Sequence, residues 1–388
     1  MAYTRDNQMV FETIKLSLWG NAFAVTGQDV YDELKRHAIT VLPSPYLSSL
    51  ELSPELAAEW KNDIIHQVSF YTQYCIEQSK LPITVPYVIL KGTSAAKYYP
   101  YPEYRTMGDI DIMTRHEDFD TACQQLVDNG YLIVDEIYKE TELTKGGICI
   151  DIHRQFASLN NPEHVKYFDD LIIENIDETH ELPDLINGLV LIEHINQHLE
   201  GGLGLRQIID WMMFVDKCLP DEKWLEFSEQ AEKIGLDKLA IVCTRMCEIY
   251  LGLSAREWCS KADVKLCEQL MDYVMACGNF GNKKQSDSDI SENAFAYASS
   301  LKSGFNLLQR QGMINWDAAQ RCRMLRPFAW IYQLFRYLSK GLKREQAASK
   351  IKAEYAAAKR KTAMLDALGV KTAAKGLVMY KDGKYVKD

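Results

Sequence analysis

The stretch YRTMGDIDIMT, residues 104–114, places two aspartates one residue apart between isoleucines. Successive side chains of a β-strand point to opposite faces, so Ile110 and Ile112 would share one face and Asp109 and Asp111 the other. Two neighbouring carboxylates repel each other and lose hydration when they are buried. A shared divalent cation such as Mg²⁺, which prefers oxygen ligands, removes both penalties. The pattern therefore predicts a strand that carries a metal site.

A third acid follows in ICIDIHRQF, residues 148–156, where Asp151 and His153 lie opposite a row of isoleucines. If this strand pairs beside the first, Asp151 joins the other two aspartates. Three convergent carboxylates on adjacent strands are typical of a two-metal site for phosphoryl or nucleotidyl transfer. His153 then either supports the site or acts as a base, or it is a hydrogen-bonded structural histidine.

The segment LKGTSAAKYYP, residues 90–100, lies upstream of these acids and follows a short apolar run. The run at 85–92 predicts a buried strand that ends at Gly92, and Thr93 or Ser94 is predicted to cap a short helix. Glycine permits close approach to the backbone, and amides at a helix N-terminus suit phosphate oxygens.

Strand, glycine, Ser/Thr and helix, then Asp-x-Asp on the next strand and a third Asp on a later one, resemble the DNA polymerase β-type nucleotidyltransferase superfamily. Within it, the segments LKG, YYPYPEYRTMGDIDI, NGY and IDIH are most similar to an uncharacterised bacterial nucleotidyltransferase family with an LKG…YP…R…DiD signature. The later segment HINQHLEGGLGLRQIIDW, residues 194–211, is similar to the helical part of that family. The resemblance covers roughly residues 85–215.

This resemblance implies a mixed sheet core that binds a nucleoside triphosphate and two Mg²⁺ ions. Asp109 and Asp111 would bind both ions, and Asp151 would bind the catalytic ion and help to deprotonate an acceptor hydroxyl. A nucleoside monophosphate would be transferred, with pyrophosphate as the leaving group. The residues implied to bind nucleotide are Lys91, Gly92, Thr93, Ser94 and Arg105. One departure is the spacing: many superfamily members carry Gly-Ser nearer to the first Asp, whereas YYPYPEYR stands between them here.

Several other residues have two interpretations. Arg105 either neutralises a triphosphate or pairs structurally with Glu103 or Asp109. His194 and His198 share a helical face at a spacing that can bind a metal, although the sequence lacks the HExxH pattern of zinc proteases. Arg206 and Asp210 are spaced as a helix-stabilising i,i+4 pair, or they line the substrate cleft. The predicted surroundings of the site, or acceptor cleft, are His153, His194, Arg206 and Asp210.

The predicted fold class is α+β, with a small nucleotidyltransferase-type mixed sheet flanked by helices. Strands are expected at 85–92, 108–114, 131–140 and 147–156, with a helix at 116–130 and a loop that ends at Gly146-Gly147. From about Leu185 the chain is predicted to be helical, with a break at Gly201-Gly202 and a polar loop at 277–293. Ser53 and Pro54 predict the start of a long amphipathic helix. The predicted domains are an N-terminal helical segment at 1–83, the catalytic core at 84–180, a helical domain at 181–300 and a basic helical segment at 301–388.

Charge is distributed unevenly along the chain. The net charge is −10, yet residues 301–388 hold 19 Lys and Arg against 6 Asp and Glu, which leaves the first 300 residues with 25 against 48. The basic segment is predicted to contact an anionic surface: the protein's own acidic body, nucleic acid or a membrane. No run of about 20 apolar residues predicts a spanning helix, and no signal peptide is evident, so a cytoplasmic location is expected. Ten cysteines without a CxxC pair indicate reduced thiols rather than a structural zinc.

The sequence thus predicts a Mg²⁺-dependent nucleotidyltransferase that modifies an unknown hydroxyl-bearing acceptor, which could be a small molecule, RNA or protein. Two alternatives stay open. One is a non-catalytic protein that binds a nucleotide or a partner. The other is a toxin-like enzyme that modifies tRNA or protein.

Overall fold

A computed structural model describes residues 5–20, 27–279, 323–333, 359–370, 378–381 and 383–387, and four single positions at 309, 316, 318 and 335. The chain divides into two compact units, one formed by Met1–Lys283 with Leu368–Asp388 and the other by Lys284–Ala367. The first unit contains the sheet and the candidate site. In the second, the described residues include the 3₁₀ helix Arg323–Phe328 and a stacked pair of rings, Trp316 and Tyr332.

The first unit begins with three helices, α1 (Arg5–Trp19), α2 (Gln28–Arg36) and α3 (Pro54–Gln78). The predicted start of the long helix is confirmed, because Ser53 Oγ accepts a hydrogen bond from the Leu56 amide and Pro54 occupies the first turn. This cap satisfies one of the amides that a helix start leaves without a partner.

The sheet elements follow in the order β1 (Tyr87–Leu90), α4 (Gly92–Ala96), β2 (Ile110–Thr114), α5 (Phe119–Asp128), β3 (Leu132–Glu136), β4 (Glu140–Lys145) and β5 (Ile148–His153). The strands are arranged β1-β2-β5-β4-β3. Only β2 and β5 run parallel to each other; the other neighbouring pairs are antiparallel. The predicted α+β class with a mixed sheet is confirmed.

One prediction about this sheet was wrong. Residues 131–140 were expected to form one strand and 141–146 a loop, but the chain turns after Glu136 and returns as β4. Strand β4 pairs along its whole length with β5, and Gly146 and Gly147 make the tight turn between them with positive φ angles of 61° and 85°. Pairing with β5 buries Thr141 and Leu143, which local sequence alone did not indicate.

One face of the sheet forms the hydrophobic core. The buried isoleucines Ile110, Ile112, Ile150 and Ile152 pack in one cluster with Tyr74 and with residues of α5. Because side chains alternate along a strand, this packing turns Asp111, Asp151 and His153 to the opposite face. The predicted division into an apolar and an acidic face is therefore what the structure shows.

The helical part continues as α6 (Pro162–Ile173), α7 (Asp184–Gly201), α8 (Leu205–Cys218), α9 (Trp224–Ile234), α10 (Asp237–Leu251) and α11 (Val264–Cys277). The break between α7 and α8 falls at the predicted glycines, and Gly202 there has a φ of 135°. Within the described ranges, every helix is too short or too polar to cross a bilayer.

The C-terminal residues return to the first unit as a hairpin of β6 (Val378–Lys381) and β7 (Lys384–Lys387). The prediction of a helical segment is wrong for these residues. The missed signal is Asp-Gly between two alternating strands, a common two-residue hairpin turn, and Gly383 has a φ of 77°. Most of the basic segment at 301–388, and residues 280–293 of a predicted polar loop, lie outside the described residues.

Candidate active site

Three carboxylates converge at the centre of the sheet. Asp109 immediately precedes β2, Asp111 lies within it, and Asp151 lies in β5. The parallel register makes Asp111 and Asp151 direct neighbours, and one carboxylate oxygen from each of the three aspartates lies within 4.8 Å of the other two. Among the described residues, no other group of three or more His, Cys, Asp or Glu side chains converges in this way.

The three acids differ in their electrostatic surroundings. Burial opposes ionisation of Asp111, but the Lys91 ammonium and His153 hold its pKa well below the usual value. The charge on Asp111 and then burial raise the pKa of Asp109. Burial, together with the charges of Asp111 and Asp109, raises the pKa of Asp151 to about 7. Burial and mutual repulsion thus both oppose the negative charges of Asp109 and Asp151, and a bound cation would relieve both effects. A hard divalent cation with oxygen ligands, such as Mg²⁺ or Mn²⁺, fits this donor set.

Lys91 supplies the nearest positive charge to the aspartates. Its Nζ lies 2.6 Å from Asp111 Oδ1, and its side chain is only 12% exposed. The backbone here is unusual, because Lys91 has a φ of 50° and Gly92 a φ of 41°. A non-glycine residue with positive φ carries strain of about 1–3 kcal/mol. At Gly92, a Cβ would also lie 3.2 Å from Met107 Cε. Glycine is therefore favoured at position 92, and the turn directs Lys91 over the acidic face.

His153 holds Asp111 from the other side. Its Nε2 lies 2.9 Å from Asp111 Oδ1, and its Nδ1 lies 3.0 Å from Glu140 Oε2. Burial opposes protonation, but the two carboxylates raise the pKa of His153 above its ordinary value. Sequence reasoning missed Glu140 because its role depends on the β4–β5 register, which places it opposite His153. The histidine thus orients Asp111 while Glu140 fixes the histidine.

Thr93 and Ser94 do not cap α4 as predicted. The helix begins at Gly92 with Lys91 in the cap position and has no side-chain cap. Instead, Ser94 Oγ donates to the Ile89 carbonyl at 3.0 Å, and Thr93 Oγ1 donates to Gln78 Oε1 at 2.8 Å. Ser94 thus ties α4 to β1, and Thr93 ties it to the end of α3.

Arg105 forms its ion pair with Asp210 rather than with Glu103 or Asp109. Its Nε and Nη2 donate to the two carboxylate oxygens of Asp210 at 2.8 and 2.7 Å. Tyr99 Oη also donates to Asp210, at 2.7 Å. The arginine and aspartate side chains are almost fully buried. This group joins helix α8 to the segment that leads into Asp109.

Arg206 reaches the same segment from α8. Its Nη1 contacts the Thr106 carbonyl at 3.4 Å and lies 3.8 Å from the position a Cβ would take at Gly108. Burial and the neighbouring Arg105 lower the pKa of Arg206, whereas Asp210 and Asp109 act in the opposite direction. Two of the four residues predicted to surround the site, Arg206 and Asp210, therefore contact the segment that precedes Asp109.

His194 and His198 contact each other, with 2.9 Å between their Nε2 atoms. Burial lowers the pKa of both rings, that of His198 to about 3, and the charge of Lys91 adds to this effect. The pair is therefore neutral near pH 7. It does not belong to the converging ligand group formed by the three aspartates.

The mixed sheet and the converging aspartates are consistent with the nucleotidyltransferase class. A model of an uncharacterised nucleotidyltransferase family matches residues 30–252, which is more than half of the chain. The chain belongs to this family. The matched range includes the sheet, the three aspartates and the Arg105–Asp210 pair. Comparisons with curated proteins and with solved structures gave no significant match.

Proposed function

We propose that this protein transfers a nucleoside monophosphate from a nucleoside triphosphate to a hydroxyl-bearing acceptor in a reaction that uses two Mg²⁺ ions. The observation that supports the proposal most directly is the approach of three carboxylates within 4.8 Å on one face of the sheet. Membership of a nucleotidyltransferase family adds the reaction class.

The fit of the residues suggests a division of roles. Asp109, Asp111 and Asp151 would hold the ions, which, when bound, neutralise charge on the triphosphate and promote ionisation of the acceptor. Asp151 would also take the proton from the acceptor hydroxyl, since its side chain is less buried than that of Asp111. Lys91 would offer its ammonium group to the triphosphate, and Gly92, Thr93 and Ser94 of the same turn are proposed to lie beside it.

Arg105 is proposed to add positive charge near the triphosphate while Asp210 holds it in position. Most of the catalytic effect would come from fixed charges and from alignment of the two substrates. His153, His194, Arg206 and Asp210 are proposed to shape the site and the acceptor cleft. The acceptor class stays open between a small molecule, RNA and protein, and a contact between the basic 301–388 segment and nucleic acid remains a proposal.

The first test is a thermal-shift titration with ATP, GTP, CTP and UTP, each with and without Mg²⁺. A ligand that binds only the folded state raises the melting temperature as its concentration exceeds Kd. We expect a Mg²⁺-dependent rise with at least one nucleotide in the wild type and none in Asp109→Asn. Asp272→Asn, which changes an exposed side chain on α11, is the matched control and should behave like the wild type.

A rise that persists in Asp109→Asn would contradict the proposed metal site. The transfer itself is tested by incubating the protein with cell lysate and α-labelled nucleotide, with Asp111→Asn as the comparison. Label that appears on a protein, an RNA or a small molecule only with the wild type would identify the acceptor class. Nucleotide binding without any transfer would favour the non-catalytic alternative.

A further inference from the structure

Lys91 lies in a position where a cation would bind. Its ammonium contacts Asp111 at 2.6 Å, and the charges of Asp109 and Asp151 also act on it. The strained backbone at Lys91 and Gly92 holds the side chain in this direction, so the contact is built into the β1–α4 turn. The ammonium also lies 5.8 Å from the centre of the Phe156 ring, which covers it on another side.

The contact also uses one particular oxygen. Lys91 Nζ and His153 Nε2 both approach Oδ1 of Asp111, at 2.6 and 2.9 Å. Oδ2 takes part in neither contact, so Asp111 can present it to a metal ion while Oδ1 stays with the two nitrogen donors. The side chain that could ligate an ion is therefore already shared with a positive group.

A charge count shows the consequence. When a bound cation keeps all three aspartates ionised they carry three negative charges, of which the Lys91 ammonium offsets one and one divalent ion offsets the other two. A second divalent ion would then enter a centre that is already neutral, next to an ammonium group in a largely buried site, where repulsion is weakly screened. A bound triphosphate adds several negative charges and removes this obstacle.

We propose that Lys91 serves as an internal counter-ion that limits the nucleotide-free centre to one divalent ion, so that the second ion enters only with the nucleotide. The inference rests on the proposed function, because it concerns the same metal centre. It assigns to Lys91 a role in the order of binding, separate from any contact with phosphate.

The test is the number of Mn²⁺ ions bound per chain without nucleotide, measured on the full chain by the loss of the free Mn²⁺ electron paramagnetic resonance signal. We expect one ion in the wild type and in Lys91→Arg, which keeps the charge. We expect two in Lys91→Met, which keeps much of the side-chain length without the charge. Lys91→Gly is a second neutral variant that should fold, because glycine adopts the positive φ of this position without strain.

Two ions in both neutral variants would support the proposal. One ion in both neutral variants, or two in the wild type, would overturn it. Failure of the proposed function would give a different result, because the wild type would then bind no Mn²⁺ and would show no Mg²⁺-dependent thermal shift with nucleotide. Wild-type binding of one ion with a normal nucleotide shift, combined with no gain in the Lys91 variants, would reject the counter-ion role alone.

Discussion

The Arg105–Asp210 ion pair shows how much a few buried residues determine at this site. A bidentate pair between a guanidinium and a carboxylate is geometrically specific, and here Tyr99 adds a third hydrogen bond to the same aspartate. Because burial removes water from both charges, each group depends on the other. The pair therefore fixes helix α8 against the segment that ends at Asp109.

We predict that Arg105→Leu lowers the free energy of unfolding by about 3 kcal/mol, since it leaves the Asp210 carboxylate buried with too few donors. The double variant Arg105→Leu/Asp210→Leu should be less destabilised than the sum of the two single variants. Urea denaturation measures all three. Lys166→Met, which removes an exposed ion pair with Asp170 on α6, is the control and should change stability by less than about 1 kcal/mol. Additive single effects would contradict this account.

At the scale of elements, the close packing of α7 against α8 depends on one glycine. A Cβ at Gly188 would lie only 2.2 to 2.9 Å from ring atoms of Phe214, so the ring occupies the space that any larger residue would need. Phe214 is fully buried and also contacts Trp211 and Tyr98. The ring therefore cannot move aside without disturbing several neighbours, and the two helices can approach only because residue 188 has no side chain.

We predict that Gly188→Ala lowers the free energy of unfolding by about 2 kcal/mol or more, because overpacking forces the helices apart. Gly201→Ala is the matched control on the same helix, since no atom lies within 4 Å of its Cβ position. Alanine there should be neutral or slightly stabilising. Thermal and urea denaturation of the two variants give the comparison. Equal stability of both would show that Phe214 repacks freely.

At the scale of the molecule, the C-terminal hairpin packs against the chain that follows β5 and against α6. Gln155 Nε2 donates to the Val378 carbonyl, and its Oε1 accepts from the Tyr380 amide. Tyr385 Oη donates to Asp169 at 3.0 Å, while Tyr380 stacks on His116. Asp169 in turn accepts the Phe156 and Ala157 amides just beyond β5. Residues more than two hundred positions apart therefore fix the chain that follows Asp151 and His153.

This hairpin contact predicts a pH dependence. Burial raises the pKa of Asp169 to about 7, although its hydrogen bonds act in the opposite direction. Because the folded-state pKa lies above the unfolded value of about 3.9, folding favours the protonated form. That stabilisation is complete below about pH 4 and is lost as the pH rises through about 7.

We therefore expect the wild type to lose about 2 to 3 kcal/mol relative to Asp169→Asn between pH 5 and pH 8, because asparagine has no charge to bury. Urea denaturation at several pH values measures the difference. Asp272→Asn, whose side chain is exposed, should follow the wild type at every pH. Parallel pH profiles for the wild type and Asp169→Asn would contradict the prediction.

Features set by interactions between residues close in sequence could be predicted, whereas features that need distant partners could not. The cap at Ser53 and the glycine break between α7 and α8 were predicted because local chemistry determines them. Strand β4 was missed because its charged and polar residues form a strand only when β5 supplies hydrogen-bond partners. The C-terminal strands have a local Asp-Gly signal between them, but the prediction extended the preceding basic helical pattern to the end of the segment.

The sequence by itself identified the three aspartates that converge and the face they occupy, because side-chain alternation along a strand is a local property. Asp109, Asp111 and Asp151 could be identified in this way. Only the tertiary structure decided that β2 and β5 run parallel in a register that makes Asp111 and Asp151 neighbours, that Lys91 turns over them, and that Arg105 pairs with Asp210. Those contacts join residues distant in sequence, and their geometry follows from how the whole core packs, which no local pattern specifies.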